Sequence, residues 1–568
     1  MDLVLALHSH LPYVLNHGRW PHGSDWICEA AVDTYLPLLE MLNGLEVEEV
    51  DCPITLGITP ILAAQLAHPT FAQELRAFFG QRLAACDEAI ADFRQTGEKA
   101  LTPIAEFWRG RLARLDRLFE RVDGDLVASF RHHREAGRLE IISSAATHGF
   151  LPLLGRDESV AFQLAMGRDE HRRLFGQDAA GCWAPECAYR PRGPWQPHPD
   201  ARRQASRPGT EEFLGRAGYR YFFTDSHLAQ AGRTLGLYRH ATFPGDLDPA
   251  DPNDLADALQ LPSSRSPYRG YLVSPRPEGP AVATLVRDPR ASRVVWSRHQ
   301  GYPGDGSYLE FHKIRFPGGL KFWRVTDPNS DLGEKERYDP NAARARARAH
   351  AEGYAQVLRQ IAADHGGDGE EPGELIAVPF DTELFGHWWF EGVDFLTDLY
   401  RALAEWPSPR PTTASAHFAR QPPSGAVELA EGSWGANGDF SKWLNPSTEW
   451  TWLRLWRAED RFWDAVERTR HDGDAEEVLS QAGRELLLAQ ASDWQFIISS
   501  ATAGDYASKR FTEHLDNLDR LLTALDAGMV TIEARLLAAD LRRRNDVFPE
   551  VIPALDAARS ARHVPAHA

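Results

Sequence analysis

A chain of 568 residues with 43% hydrophobic content is long enough for two or three domains around a large core. Its 62 Lys plus Arg against 81 Asp plus Glu give a net charge of −19, which argues against a nucleic-acid backbone or an anionic membrane as partner and favours a neutral or cationic ligand. The opening Met1-Asp-Leu-Val-Leu-Ala-Leu-His8 has no basic segment ahead of a short apolar run, and nothing later approaches about 20 consecutive apolar residues, so the expectation is a soluble, cytoplasmic protein.

Short apolar runs recur along the first four hundred residues: Leu3 to Leu7, Pro53 to Ile58, Leu139 to Ile142, Cys182 to Trp183, Tyr221 to Phe223 and Leu375 to Phe380. Each ends in polar residues, in order His8 and His10, Thr59, His148, Glu186, Asp225 and Asp381. Read as parallel strands of an α/β barrel, these endings converge at one mouth. Between the second and third runs, residues 71–137 carry helical periodicity (Leu112, Leu115, Leu118, Phe119) and read as a helical insertion. Residues 229–266, rich in Pro, Asp, Gly and Ala, read as a long irregular loop. The catalytic domain is expected over 1–400, a Pro-rich linker and aromatic loop over 401–448, and a helical domain over 449–568. In that last domain Trp452, Trp456 and Trp463 share one helical face and read as core.

The five cysteines, Cys28, Cys52, Cys86, Cys182 and Cys187, are too few and odd in number for a disulfide framework. Cys182 and Cys187 flank Glu186 without Cys-x-x-Cys spacing and read as buried thiols. Two segments end an apolar run in an acid beside aromatic rings: Gly181-Cys-Trp183-Ala-Pro185-Glu186-Cys-Ala-Tyr189 and Ala377-Val-Pro-Phe-Asp381-Thr-Glu383-Leu-Phe-Gly-His387-Trp-Trp389. Isolated carboxylates at two strand ends, flanked by rings, suggest glycoside chemistry. The competing reading of Glu186 is a salt bridge to Arg190 or Arg192; that of Asp381 is a strand-end or capping residue. Glu383 competes with Asp381, because residues 381 and 383 share a face if the strand continues.

His8-Ser-His10-Leu-Pro12-Tyr13, Thr147-His148-Gly-Phe-Leu-Pro152, Trp183-Ala-Pro-Glu186, Phe380-Asp381-Thr-Glu383-Leu-Phe-Gly-His387-Trp-Trp389 and Asp493-Trp494-Gln495-Phe496 resemble, in order, the five sequence regions of family-57 glycoside hydrolases. The extended fourth region and the His-x-His-Leu-Pro-Tyr opening are most similar to the 1,4-α-glucan branching enzymes of that family. The resemblance implies an incomplete (β/α)7 barrel with a helical insertion and a C-terminal α-helical domain. It also implies a retaining mechanism with Glu186 as nucleophile and Asp381 as general acid/base, their oxygens about 5 to 5.5 Å apart.

By the same resemblance His8, His10 and His148 bind glucose hydroxyls without a metal or other cofactor. Their spacing also suits a zinc site completed by Asp225, as in a related mannosidase fold. Trp20, Trp296, Trp434 and Trp443 are expected as sugar-stacking rings, with Trp26 a further candidate, and core positions are the alternative for each. Asp493 and Trp494 would reach back over the barrel mouth. Tyr238 or Tyr268 would close over the acceptor. The expected partner is an α-glucan such as amylose, amylopectin or glycogen, acted on by a monomer or small homo-oligomer. An α-1,4-glucan hydrolase is the near alternative; a zinc-dependent glycosidase or a non-catalytic glycan-binding protein is more distant.

Overall fold

The computed structural model describes residues 1–561 apart from 202, 230–264, 277–278, 298–300, 317, 328, 367–372, 424, 470–472 and 529. Seven strands line up in parallel: β1 (Asp2–Ser9), β2 (Ile54–Ile58), β3 (Leu139–Ser144), β4 (Gly181–Trp183), β5 (Tyr221–Thr224), β6 (Ala283–Val286) and β7 (Leu375–Asp381). Their order is β7-β1-β2-β3-β4-β5-β6. The far edge of β6 is occupied by the antiparallel strand Gly270–Val273, so β6 and β7 cannot pair along their length. Among the described residues they meet only at a bridge between Arg287 and Ala377, where Asp288 N–H donates to the Ala377 carbonyl at 2.8 Å. The barrel is therefore incomplete, and it is joined at one point near its mouth.

Strand alternation sorts the side chains. Val4, Ala6, Ile142, Trp183, Tyr221, Phe223, Ala283, Leu285, Leu375 and Ala377 form one buried cluster inside the curl, while Leu3, Leu5, Leu7, Val378 and Phe380 join the larger core beneath the helices. The helix Ala414–Arg420 closes the bottom, where His417 and Arg420 hold Asp2. With a side-chain period of two, the next inward positions at the upper ends of four strands are His8, Asp225, Arg287 and Asp381.

Four helices, Pro60–Leu66, Pro69–Thr96, Thr102–Arg121 and Leu126–Glu135, lie between β2 and β3, and Leu112, Leu115, Leu118 and Phe119 bury one face of the third. Six helices follow from Glu449 to Ala561 among the described residues. In the first of them Trp452, Trp456 and Trp463 are buried on one face, and two of these rings fasten it to the barrel. Trp456 Nε1–H donates to the Leu153 carbonyl (2.7 Å) and Trp463 Nε1–H to Ser159 Oγ (2.9 Å). Arg510 donates to the Tyr13 carbonyl (3.0 Å), so the helical domain also grips the loop after β1.

Candidate active site

Glu186 follows β4 on a turn where it and Cys187 both take left-handed backbone, φ +61° and φ +47°, and His148 beyond β3 does the same at φ +58°. Non-glycine residues adopt this region at a cost of order 1 kcal/mol, and such strain clusters at sites that need an unusual side-chain direction. The segment after Glu186 is zipped to the aromatic loop by paired backbone hydrogen bonds between Tyr189 and Gly432. That pairing lays Trp434 over the carboxylate. Its Nε1–H donates to Glu186 Oε2 at 2.8 Å, and its backbone N–H donates to the Glu186 carbonyl at 3.1 Å. Neither Arg190 nor Arg192 pairs with Glu186: Arg190 lies over Trp195 and donates to the Pro194 carbonyl, and Arg192 pairs with Glu212.

Asp381 is the last residue of β7 and stands opposite His8 in register. Its carboxyl has no hydrogen-bond partner among the described residues. Burial, reinforced by the neighbouring charges of Glu186 and Glu383, pushes its pKa well above the carboxylate range, and Arg287 acts in the opposite sense. Burial also raises Glu186, to about 7, but there the Trp434 hydrogen bond and the charge of His10 favour the anion. The two carboxyl groups therefore differ in kind: one is supplied with a donor, and the other is left to hold a proton.

Glu383 does not share the face of Asp381. The strand stops at Asp381 and a 3-10 turn, Thr382–Leu384, carries Glu383 away. There it accepts from Tyr35 Oη at 2.5 Å and from the His10 backbone N–H at 3.2 Å. Tyr35 reaches it from a π-helical turn, Ala31–Tyr35.

The three histidines form a stack. His8 lies flat on Trp183 (centroids 4.5 Å, planes 4° apart), and His10 lies on His148 at 4.1 Å. His8 Nε2 and His148 Nε2 are 2.9 Å apart, His148 Nδ1 is 2.9 Å from Ser492 Oγ, and His8 Nδ1 is buried without a partner. Placing the proton on His8 Nε2 avoids a buried, unmet N–H and makes His148 donate through Nδ1 to Ser492. Burial first, and the charge of His10 second, keep both rings neutral, with pKa values well below the ordinary imidazole range. His10 differs. Burial opposes its charge, but Asp493 Oδ2 at 2.9 Å from Nε2, with Glu383 and Glu186 nearby, raises it. His148 Nδ1 also lies 3.8 Å from Glu186 Oε1.

This hydrogen bonding leaves the zinc arrangement without its donors. Two ring nitrogens 2.9 Å apart are joined through a proton; His10 is held by Thr59 and Asp493, and Asp225 by Arg287 at 3.1 Å. Two nitrogens each about 2.0 to 2.1 Å from a tetrahedral zinc would stand farther apart. Among the described residues no group of three or more His, Cys, Asp or Glu is disposed around one point.

Glu186, Asp381, His8, His10, His148, Trp434 and Asp493 thus converge, but other expected residues do not join them. Trp443 is 1% exposed, packs on Phe150 at 4.6 Å and is a core ring rather than a sugar platform. Trp494 is wholly buried, with Nε1–H donating to the Leu488 carbonyl (2.8 Å). Only its neighbour Asp493 reaches the mouth.

Tyr268 is a core residue at the wrong end of β7. It stacks on His365 at 4.0 Å, and its carbonyl accepts from Glu374 N–H, about 20 Å of strand below Asp381. Tyr238 and nearly all of the 229–266 loop lie outside the described residues. Trp296 ends the helix Pro289–Trp296, half-buried near Phe380 (6.4 Å), and Trp20 is 70% exposed on the loop after β1.

The site also contains residues that sequence reasoning passed over. Tyr35 comes from a helical segment with no local signal of chemistry, and Ser492, at the cap of the helix Asp493–Ser500, stands one residue outside the fifth region. Arg287 does have one: Val282-Ala-Thr-Leu-Val286 is an apolar run ending in Arg287-Asp288, the same form as the other strands. The Gly- and Pro-rich residues ahead of it obscured that run.

Two family descriptions match the chain: glycosyl hydrolase family 57 over residues 4–430, and the 1,4-alpha-glucan branching enzyme C-terminal domain over residues 454–555. A 1,4-alpha-glucan branching enzyme of Thermococcus kodakarensis is 37% identical over 552 residues, spanning 97% of this chain and 78% of its own length. The crystal structure of a family-57 branching enzyme from that archaeon superposes with a TM-score of 0.86 at 35% identity, covering 98% of this chain and 96% of that one. An alpha-amylase of Thermotoga maritima superposes with a TM-score of 0.76 at 26% identity, covering 98% and 99%. The chain belongs to glycosyl hydrolase family 57.

Proposed function

We propose that the protein is a 1,4-α-glucan branching enzyme that works by a retaining double displacement. The observation that carries branching over hydrolysis is the helical segment 454–555. It matches the branching-enzyme C-terminal description, and the same segment supplies Ser492 to His148 and Asp493 to His10. Likeness to the amylase is lower in both identity and superposition.

In the first step the Glu186 carboxylate attacks the anomeric carbon of an internal α-1,4 linkage. The C1–O4 bond breaks, and Asp381 passes its proton to the departing O4. In the second step Asp381, now a carboxylate, takes the proton of a glucan 6-hydroxyl. That oxygen displaces Glu186 from C1 and leaves an α-1,6 linkage. The Trp434 N–H favours the charged form of the free Glu186, the neutral His8–His148 pair, tied to Ser492, fixes the His10 ring that stacks on it, and His10 places positive charge beside the carboxylates. The substrate is an amylose-like chain and the product a glycogen-like glucan. Five buried, unpaired cysteines fit a reducing compartment such as the cytoplasm.

Proton NMR after incubation with amylose tests the reading. Branching predicts new α-1,6 anomeric signals with few new reducing ends. Reducing ends without α-1,6 signals would make the protein an amylase.

A further inference from the structure

Arg287 has no part in the scheme above, yet it stands at the one place where, among the described residues, the barrel's two ends meet. Its backbone N–H donates to the Thr224 carbonyl at the end of β5 (2.9 Å), and it bridges Ala377 of β7, four residues before Asp381. Alternation along β6, with Ala283 and Leu285 inside the curl, turns its side chain inward. There Nη1 donates to Asp225 Oδ2 at 3.1 Å, in a pair only 15% and 4% exposed. The guanidinium carbon lies 5.7 Å from the centre of the Trp434 ring whose N–H holds Glu186, and Nε is buried without a partner. One cation is thus fixed beside the ring that holds Glu186 and against the strand that ends in Asp381.

We propose that Arg287 is a positioning residue, anchored by Asp225, whose charge lets Asp381 serve first as acid and then as base. This rests on the reading of Glu186 and Asp381 given above. Asp381 is half-buried at the end of its strand and feels the charges of two carboxylates, Glu186 and Glu383, and Arg287 is the cation that opposes them. Without it Asp381 would keep its proton too tightly to release it to O4, and the first step would slow. Among the described residues the remaining charged or titratable groups around the pair are His10, Asp493 and the neutral His148 on the Glu186 side, the neutral His8 opposite Asp381, His227 beside Asp225, Tyr35 on Glu383, and the Cys187 thiol, which burial keeps protonated.

The salt bridge gives the test a sign. Removing the cation in Arg287→Gln leaves Asp225 uncompensated and moves the basic limb of the kcat/KM profile up by about one pH unit. Removing the anion in Asp225→Asn frees the cation and moves that limb down. Arg287→Lys stays near wild type. A merely structural bridge predicts instead that both variants lose melting temperature and activity while the limb stands still. Should Arg287→Gln fail to fold because Asp225 is left buried and alone, Asp225→Asn decides by itself. A limb that is unmoved or moves up in that variant overturns the inference.

The parent reading is checked separately with Asp381→Asn on an aryl maltooligosaccharide, whose good leaving group needs no acid. A basic limb retained there sinks the acid/base assignment. A limb that vanishes with Asp381 yet ignores Arg287 and Asp225 sinks only the present inference.

Discussion

Substituting Trp434 by Phe keeps an aromatic ring under Arg287 and against Trp183 (5.2 Å) but deletes the N–H that Glu186 accepts at 2.8 Å. A hydrogen bond to a charged acceptor is worth about 1.5 to 3 kcal/mol, and one pKa unit is about 1.4 kcal/mol, so the free Glu186 carboxyl should rise by about one to two units. It starts from about 7, where burial already holds it. At pH 7 the ionised fraction then falls about five- to fiftyfold, and kcat/KM on amylose falls with it. The assay is the pH dependence of kcat/KM, read at its acidic limb. With Glu186 as the proposed nucleophile, activity requires its ionised form, so the limb must move to higher pH in Trp434→Phe, with KM for long glucans little changed. Trp434→Ala would add the loss of ring packing. If Phe leaves the acidic limb in place and only Ala impairs the enzyme, the ring acts by contact alone and the hydrogen-bond argument is wrong.

Other outcomes follow from burial and partners. Trp443→Ala should cost about 3 to 5 kcal/mol and show as a large fall in melting temperature, because the ring is packed on Phe150. Trp20→Ala should leave the melting temperature nearly unchanged; a raised KM for long glucans alone would make that exposed ring a sugar platform. Glu186→Ala and Asp381→Asn should each abolish nearly all activity with normal circular dichroism, and azide should partly rescue the first. Glu383→Gln should do less harm than Asp381→Asn, since Glu383 is tied to Tyr35 rather than facing the cavity; the reverse order in initial rates would exchange their roles. A chelator should leave activity intact, and a loss restored by zinc would contradict the hydrogen-bonded reading of the histidines.

The parts of this site that could be read in the sequence are those governed by strand period. Six apolar runs ending in polar residues correspond to β1–β5 and β7, and a period of two is enough to turn His8 and Asp381 inward once the strands are parallel. β6 escaped because Ser274-Pro-Arg-Pro-Glu-Gly-Pro280 lies immediately before it and signals a turn, and Arg287 was lost with it. The tryptophans show a different limit. Trp434 and Trp443 sit nine residues apart in one Gly-rich loop, yet the Tyr189–Gly432 pairing lays the first on Glu186 while the second sinks against Phe150. Loop composition is common to both; the difference arises from contacts with β4 and the helical domain, which local sequence does not carry.

Asp381 and Glu383 show why such contacts decide chemistry as well as packing. On a continued strand both carboxylates would face the cavity and either could be the acid. The 3-10 turn at Thr382 breaks that equivalence: it turns Glu383 onto Tyr35 and the His10 backbone, where donors oppose the rise that burial gives its pKa, and leaves Asp381 at the mouth with none among the described residues. A carboxyl group supplied with donors is stabilised as an anion, while one that is buried, unpartnered and beside other carboxylates keeps its proton. On the proposed roles, the acid is therefore chosen by where the strand stops. Tyr35, brought in by a π-helical turn more than three hundred residues away in sequence, helps to fix that choice.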